Sequence, residues 1–136
     1  MKWYPHLSFN GQCEAAFQFY ERCLGGRIVT MLRWGESPMA TQAPSGWSEK
    51  ILHVTLEADG NLLSGADVPP AQYEPPKGFH VQLNIGNAME AERIFPGAGG
   101  VRHGGDADSE NVLVGSLWRA RRPVRLPWEV NCESMD

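Results

Sequence analysis

The feature that most limits the folds open to this chain is an internal repeat. Placing His6 over His80 aligns His6-Leu7-Ser8-Phe9-Asn10-Gly11 with His80-Val81-Gln82-Leu83-Asn84-Ile85. Glu14-Ala15-Ala16-Phe17 then falls near Glu90-Ala91-Glu92-Arg93. A repeat of roughly seventy residues within 136 implies two copies of one supersecondary unit. Each copy is too small to bury a sheet alone, so the two are expected to pack together and leave a cleft between them.

The first copy reads as β-α-β-β-β. His6 to Phe9 is a short strand ended by Asn10-Gly11. Cys13, Ala16, Phe17, Tyr20 and Leu24 then recur at helical spacing and form one apolar stripe. Asn10 is the expected N-cap, Glu14 suits the positive end of the helix dipole, and Gly25-Gly26 supplies the C-cap. Arg27 to Arg33 alternates as a strand, and Gly35 to Ser48 is a loop rich in turn formers. Ile51 to Leu56 and Leu62 to Ser64, joined through Asp59-Gly60-Asn61, read as a hairpin. Asp67 to Lys77 holds four prolines in eleven residues and reads as a stiff linker. The pattern then restarts with a strand over 79–85 and a short helix over Ala88 to Phe95. The expected organisation is a first βαβββ module at 1–68, a linker at 69–78 and a second module at 79–136. The fold class is α+β with curved, mixed or antiparallel sheets around the shared cleft.

Bulk properties exclude several functions. A net charge of −4 argues against nucleic-acid binding, which needs a basic surface. No apolar run reaches the ~20 residues that span a bilayer, and Met1 to Phe9 does not read as a secretion signal. Cys13, Cys23 and Cys132 are an odd number without CxxC spacing, as expected of reduced thiols in a cytoplasmic protein. A nucleophilic cysteine would need a neighbouring base or cation, and none is evident. There is no phosphate loop, GxSxG elbow or dinucleotide fingerprint.

The strings YPHLSFNGQCEAAFQFYERCLGG, KILHVTL, DVPP, YEPPKGFHVQLNIGN, AERIF and PWEVNCE together resemble the PhnB-like branch of the vicinal-oxygen-chelate superfamily, which includes glyoxalases, dioxygenases and bleomycin-resistance proteins. The resemblance covers about residues 3 to 95 and 126 to 133. It implies paired βαβββ modules in a homodimer, with metal ligands at equivalent places on the inner strands. His6, His80 and Glu129 occupy such places, while Leu62-Leu63-Ser64, where a fourth ligand is expected, has no good one. Two histidines and a carboxylate suit one divalent ion (iron, manganese, zinc or nickel), with positions left open for a substrate. Met31, Trp34, Trp47, Ser64 and Trp128 are candidates to line a substrate pocket, although core packing explains the aromatics equally well. His53 reads as structural or exposed. Two functions stay open: a metal-free small-molecule binding protein, or a metal-dependent lyase, isomerase or dioxygenase acting on a small oxygen-rich substrate. Relatives often carry a methyltransferase label, but nothing in the chain resembles a methyl-donor site.

Residues 96–126 break the pattern, holding six of the fifteen glycines. The family resemblance leads one to expect here a strand ending in Met-Pro, a Thr-Phe-Trp segment and an Arg-Phe-Gly strand. Asn111 to Leu126 can be encoded so that reading one base later gives TFWSARFGALVDRFG. The preceding part likewise permits a string such as RGLAESGTAAMPTAK. We read 96–126 as the product of a shifted frame closed by a compensating shift, the alternative being a natural divergent insert. If the chain folds as written, a strand is expected within Glu110 to Trp118, followed by Arg119, Arg121, Arg122 and Arg125 on a solvated edge.

Overall fold

Alternation in the strands and a 3.6-residue stripe in the helix together build the first unit. In the computed structural model, which describes residues 1–86, 88–94, 112–113 and 128–132, the chain divides into Met1–Pro75 and Pro76–Asp136. The first unit runs β1 (His6–Phe9), α1 (Cys13–Leu24), β2 (Arg27–Arg33), β3 (Ile51–Ala58) and β4 (Asn61–Asp67). Its sheet has the order β1-β4-β3-β2. The β1–β4 pair is parallel and the other two are antiparallel, so the sheet is mixed. Asp59 and Gly60 connect β3 to β4 with φ of 49° and 75°, the left-handed pair of a type I′ hairpin whose twist matches its strands.

Helix α1 buries Cys13, Ala16, Phe17 and Tyr20, which are four members of the stripe, and it ends at Gly25 in the left-handed conformation. Phe17 lies on Gly65 of β4, where a Cβ would come within 2.5 Å of the ring. A glycine at 65 therefore lets the helix approach the sheet, and the Phe9, Phe17 and Tyr20 rings then meet edge to face.

The N-terminus of α1 differs from expectation. Asn10 is not the cap; Gln12 holds that position and contributes no side-chain bond. The Asp67 carboxylate takes over from the far end of β4. Its Oδ1 accepts the Cys13 N–H at 3.0 Å and its Oδ2 accepts the Ile51 N–H at 2.9 Å. Asp67 is 2% exposed, so one buried carboxylate closes the start of α1, the start of β3 and the end of β4. Its negative charge also suits the positive end of the helix dipole.

The loop between β2 and β3 is more ordered than its turn-rich composition implies. Trp34 and Gly35 donate backbone bonds to Lys50 and Ser48, both at 2.9 Å, and short 3-10 turns span Trp34–Glu36 and Ala40–Gln42. At its base Arg33 makes a two-pronged contact with Glu14, at 3.0 and 2.8 Å, and donates to the Glu49 carbonyl at 2.7 Å. The hydrogen bond from Arg33 holds the Glu14 carboxyl below its ordinary range. A carboxyl depressed by folding adds stability above its unfolded value and loses it as pH falls through the folded value. Glu14→Gln is thus expected to lower Tm at pH 7 by a few °C at most, since the pair is partly exposed. The difference from the parent should begin to shrink as pH falls through about 4 and vanish below the lowered folded value; a gap that persists in acid would remove the ion pair as its cause.

The second unit contains β5 (Val81–Ile85), α2 (Ala88–Ile94), β6 (Val112–Leu113) and β7 (Trp128–Cys132). Its sheet order is β5-β7-β6, with β5–β7 parallel and β7–β6 antiparallel. The same pattern joins β1 to β4 and β4 to β3, so the repeat read from the sequence recurs in the strand pairing. Ile85, Ile94 and Trp128 are buried. The strand expected within Glu110 to Trp118 is represented by β6; the rest of 96–126 lies outside the described residues.

Candidate functional site

Strand register sorts the first sheet into two faces, because paired residues share a face and neighbours alternate. Leu7, Gly65, Val54 and Met31 form one row, and Phe17 on Gly65 places α1 over it. His6, Ser64, Thr55 and Thr30 form the adjacent row on the opposite face, with the His53–Leu32 pair one step along it. That second face carries two hydrogen-bonded pairs. His6 Nδ1 meets Ser64 Oγ at 2.8 Å, and His53 Nε2 meets Thr55 Oγ1 at 3.1 Å. The two imidazoles lie 5.9 Å apart between centroids, with planes 17° apart. Ser64 and Thr55 are 1% and 8% exposed, so the hydroxyls are buried anchors beneath more accessible rings.

Ser64 anchors the His6 ring through Nδ1. Ser64 Oγ also meets the Pro5 carbonyl at 3.3 Å. When the hydroxyl proton goes to Pro5, the same oxygen accepts from His6 Nδ1–H and Nε2 keeps its lone pair; in the other tautomer the oxygen donates to Nδ1. Partial burial, and secondarily the neighbouring His53, push His6 below the ordinary imidazole range, which favours the neutral ring.

The other candidates are placed as follows. Met31 pairs with Val54 on the α1 side of the sheet, away from His6. Trp34 is buried and donates its indole N–H to the Asp67 carbonyl at 3.3 Å, a tie that fixes the loop base. Trp47 is half-buried in that loop, and Trp128 opens β7 and is buried. His80 is exposed and lies one residue before β5, while Glu129 stands opposite Gln82 in the β5–β7 pair. The side chain of Glu129 lies outside the described residues. Among the described residues no three His, Cys, Asp or Glu side chains are grouped to hold a metal. Burial, with the Asp67 and Glu14 charges nearby, pushes the Cys13 thiol far up, which leaves it inert as a nucleophile.

Strand register adds two relations that the sequence does not show. His53 faces His6 across β4, a neighbour relation that only sheet order creates. Gln82 is to Glu129 what His6 is to Ser64 in strand register; the polar alternation of Gln82 and Asn84 was its only local signal.

No family model matches the chain. Among solved structures, protein PA1353 from Pseudomonas aeruginosa is 32% identical, with a TM-score of 0.70 over 98% of both chains. The PhnB protein from Bacillus cereus, at 15% identity, has the same fold, with a TM-score of 0.66 over 97% of this chain and 99% of its own. Protein YjdN of Escherichia coli K12 is 25% identical over 93% of this chain and 92% of its own. The chain thus belongs to one family with protein PA1353. Its fold is the α+β fold of the PhnB protein. No helix among the described residues is long and apolar enough to cross a membrane.

Proposed function

We propose that this chain is a cytoplasmic, homodimeric small-molecule binding protein of the vicinal-oxygen-chelate type. Its ligand is oxygen-rich, and the polar face of the first sheet is part of the binding surface. The observation that carries this reading is the two bonded pairs on one face, His6 with Ser64 and His53 with Thr55. A merely solvated sheet face has no need of buried hydroxyls that fix the rotation of two imidazoles. Native mass spectrometry of the purified protein tests it. A small-molecule adduct on a dimer is expected, lost on denaturation and weakened about tenfold in Ser64→Ala, which costs one oriented hydrogen bond. A bare monomer, or an adduct indifferent to Ser64, would contradict it.

The Nε2 of His6, which the Ser64 bond at Nδ1 leaves available, favours a second reading, a metal-dependent glyoxalase- or dioxygenase-type enzyme with His6, His80 and Glu129 as ligands. His6 fits that donor set, since imidazole nitrogen suits iron, manganese, zinc and nickel. A bound ion would supply Lewis-acid chemistry to a substrate with two neighbouring oxygens. Metal analysis of protein purified without a chelating tag decides between the readings. Stoichiometric metal that disappears in His80→Ala supports the enzyme; its absence from the parent protein sinks it.

A further inference from the structure

We infer that Asn10 is a site of self-modification, in which the Gly11 backbone nitrogen attacks the Asn10 side-chain amide and a carboxylate replaces it. None of the groups on which the binding reading rests takes part.

The sequence singles out this asparagine. Asn61, Asn84, Asn87, Asn111 and Asn131 precede Leu, Ile, Ala, Val and Cys, whereas Asn10 precedes a glycine. Ring closure brings the nitrogen of the next residue onto the asparagine Cγ. A Cβ on that residue obstructs the approach, and glycine has none. Nucleophile and amide belong to neighbouring residues, so their encounter is intramolecular.

The fold leaves both reactants available. Asn10 lies between β1 and Gln12, the N-cap position of α1, so capping does not occupy its side chain. Among the described residues, no hydrogen bond holds its amide or the Gly11 N–H. The Asn61 amide, by contrast, is tied to the Asp59 carbonyl at 3.1 Å. Asn10 and Gly11 are only half-buried, which lets water reach them.

The fold also brings a cation to the step. Lys50 Nζ donates to the Gly11 carbonyl at 2.9 Å, and a Cβ at Gly11 would lie 3.4 Å from that ammonium. Attack needs the Gly11 nitrogen to lose its proton and places negative charge on the Asn10 amide oxygen. A positive charge at this range favours both changes. Glu14 also feels the Lys50 charge, but Arg33 engages its carboxylate at 3.0 and 2.8 Å. The Lys50 ammonium therefore stays on Gly11.

The atoms balance with water alone. A bond forms from the Gly11 nitrogen to Asn10 Cγ, the proton of that nitrogen passes to solvent, and the side-chain nitrogen leaves as ammonia. Water then opens the cyclic imide at either carbonyl, giving aspartate or its backbone-shifted isomer. One water is consumed, one ammonia is released, and the net charge becomes one unit more negative than −4.

The test is incubation of the full chain in mildly alkaline water labelled with heavy oxygen, followed by peptide mapping with mass spectrometry. Label is expected at residue 10 well before Asn61 or Asn84. Lys50→Met should slow its entry about fivefold, the factor for a unit charge about 4 Å away in water. Lys50→Arg should restore the rate, and circular dichroism on both variants checks the fold. In urea the dependence on Lys50 should vanish, because 39 positions separate it from Gly11. Label spread evenly over the asparagines overturns the inference, as does none at residue 10. Equal rates in folded Lys50→Met and the parent overturn it too, since the sequence alone would then set the reactivity.

Discussion

Asp67→Ala is expected to lower stability by about 3–5 kcal/mol and Tm by at least about 10 °C in chemical and thermal unfolding. The substitution removes one carboxylate and strands two buried N–H groups, those of Cys13 and Ile51. Each buried donor left without an acceptor costs about 1–3 kcal/mol. A third loss adds to these, since the start of α1 has no cap of its own at Gln12 and gives up a favourably placed charge. Asp67→Asn is the sharper version. Its shape is kept, yet one of the two N–H groups must then face an amide N–H instead of an oxygen, so most of the loss should remain. Asn10→Ala, at the position the sequence marks as the cap, should change stability by only about 0.5 kcal/mol or less. Equal losses at Asn10 and Asp67 would contradict the long-range cap.

That contrast shows where the fold was legible. The bounds of β1 and β2, the buried stripe of α1 and the Asp59-Gly60 turn depend on residues within one turn or one strand of each other, and local period and turn chemistry reveal them. Asp67 acts across 54 positions on Cys13, and a polar residue after a run of Gly and Ala carries no local sign of it. The candidate site divides in the same way. Ser64 stood out as a pocket residue and His6 as a ligand, but their bond depends on the parallel closure of β1 on β4. His53 carries no such signal, because alternation alone tells which face a residue takes, not which residue of a non-adjacent strand shares it. The pairing of Gln82 with Glu129 depends on register in the same way, and a one-residue slip changes which residues are opposed.

The largest gain is expected from restoring the frame that the family pattern implies. Putting TFWSARFGALVDRFG in place of Asn111 to Arg125 keeps the length and leaves Leu126-Pro127 ahead of β7. The residues replaced carry Arg119, Arg121, Arg122 and Arg125, cations that resist burial without partners. The replacement has two arginines and one aspartate, with phenylalanine, tryptophan, leucine and valine at intervals suited to strands that bury one face. Burying three or four such side chains contributes about 1.5–3 kcal/mol each before ordering costs. A net gain of several kcal/mol, seen as a rise in Tm on the order of 10 °C, is therefore expected. Amide exchange in β7 should slow in step, because a more stable unit opens less often. Resequencing of the gene should show the compensating pair of shifts, and intact mass tells which chain the cell makes. If the chain as written proves the more stable of the two, and the gene encodes it in one frame, then 96–126 is a divergent insert and the frame explanation fails.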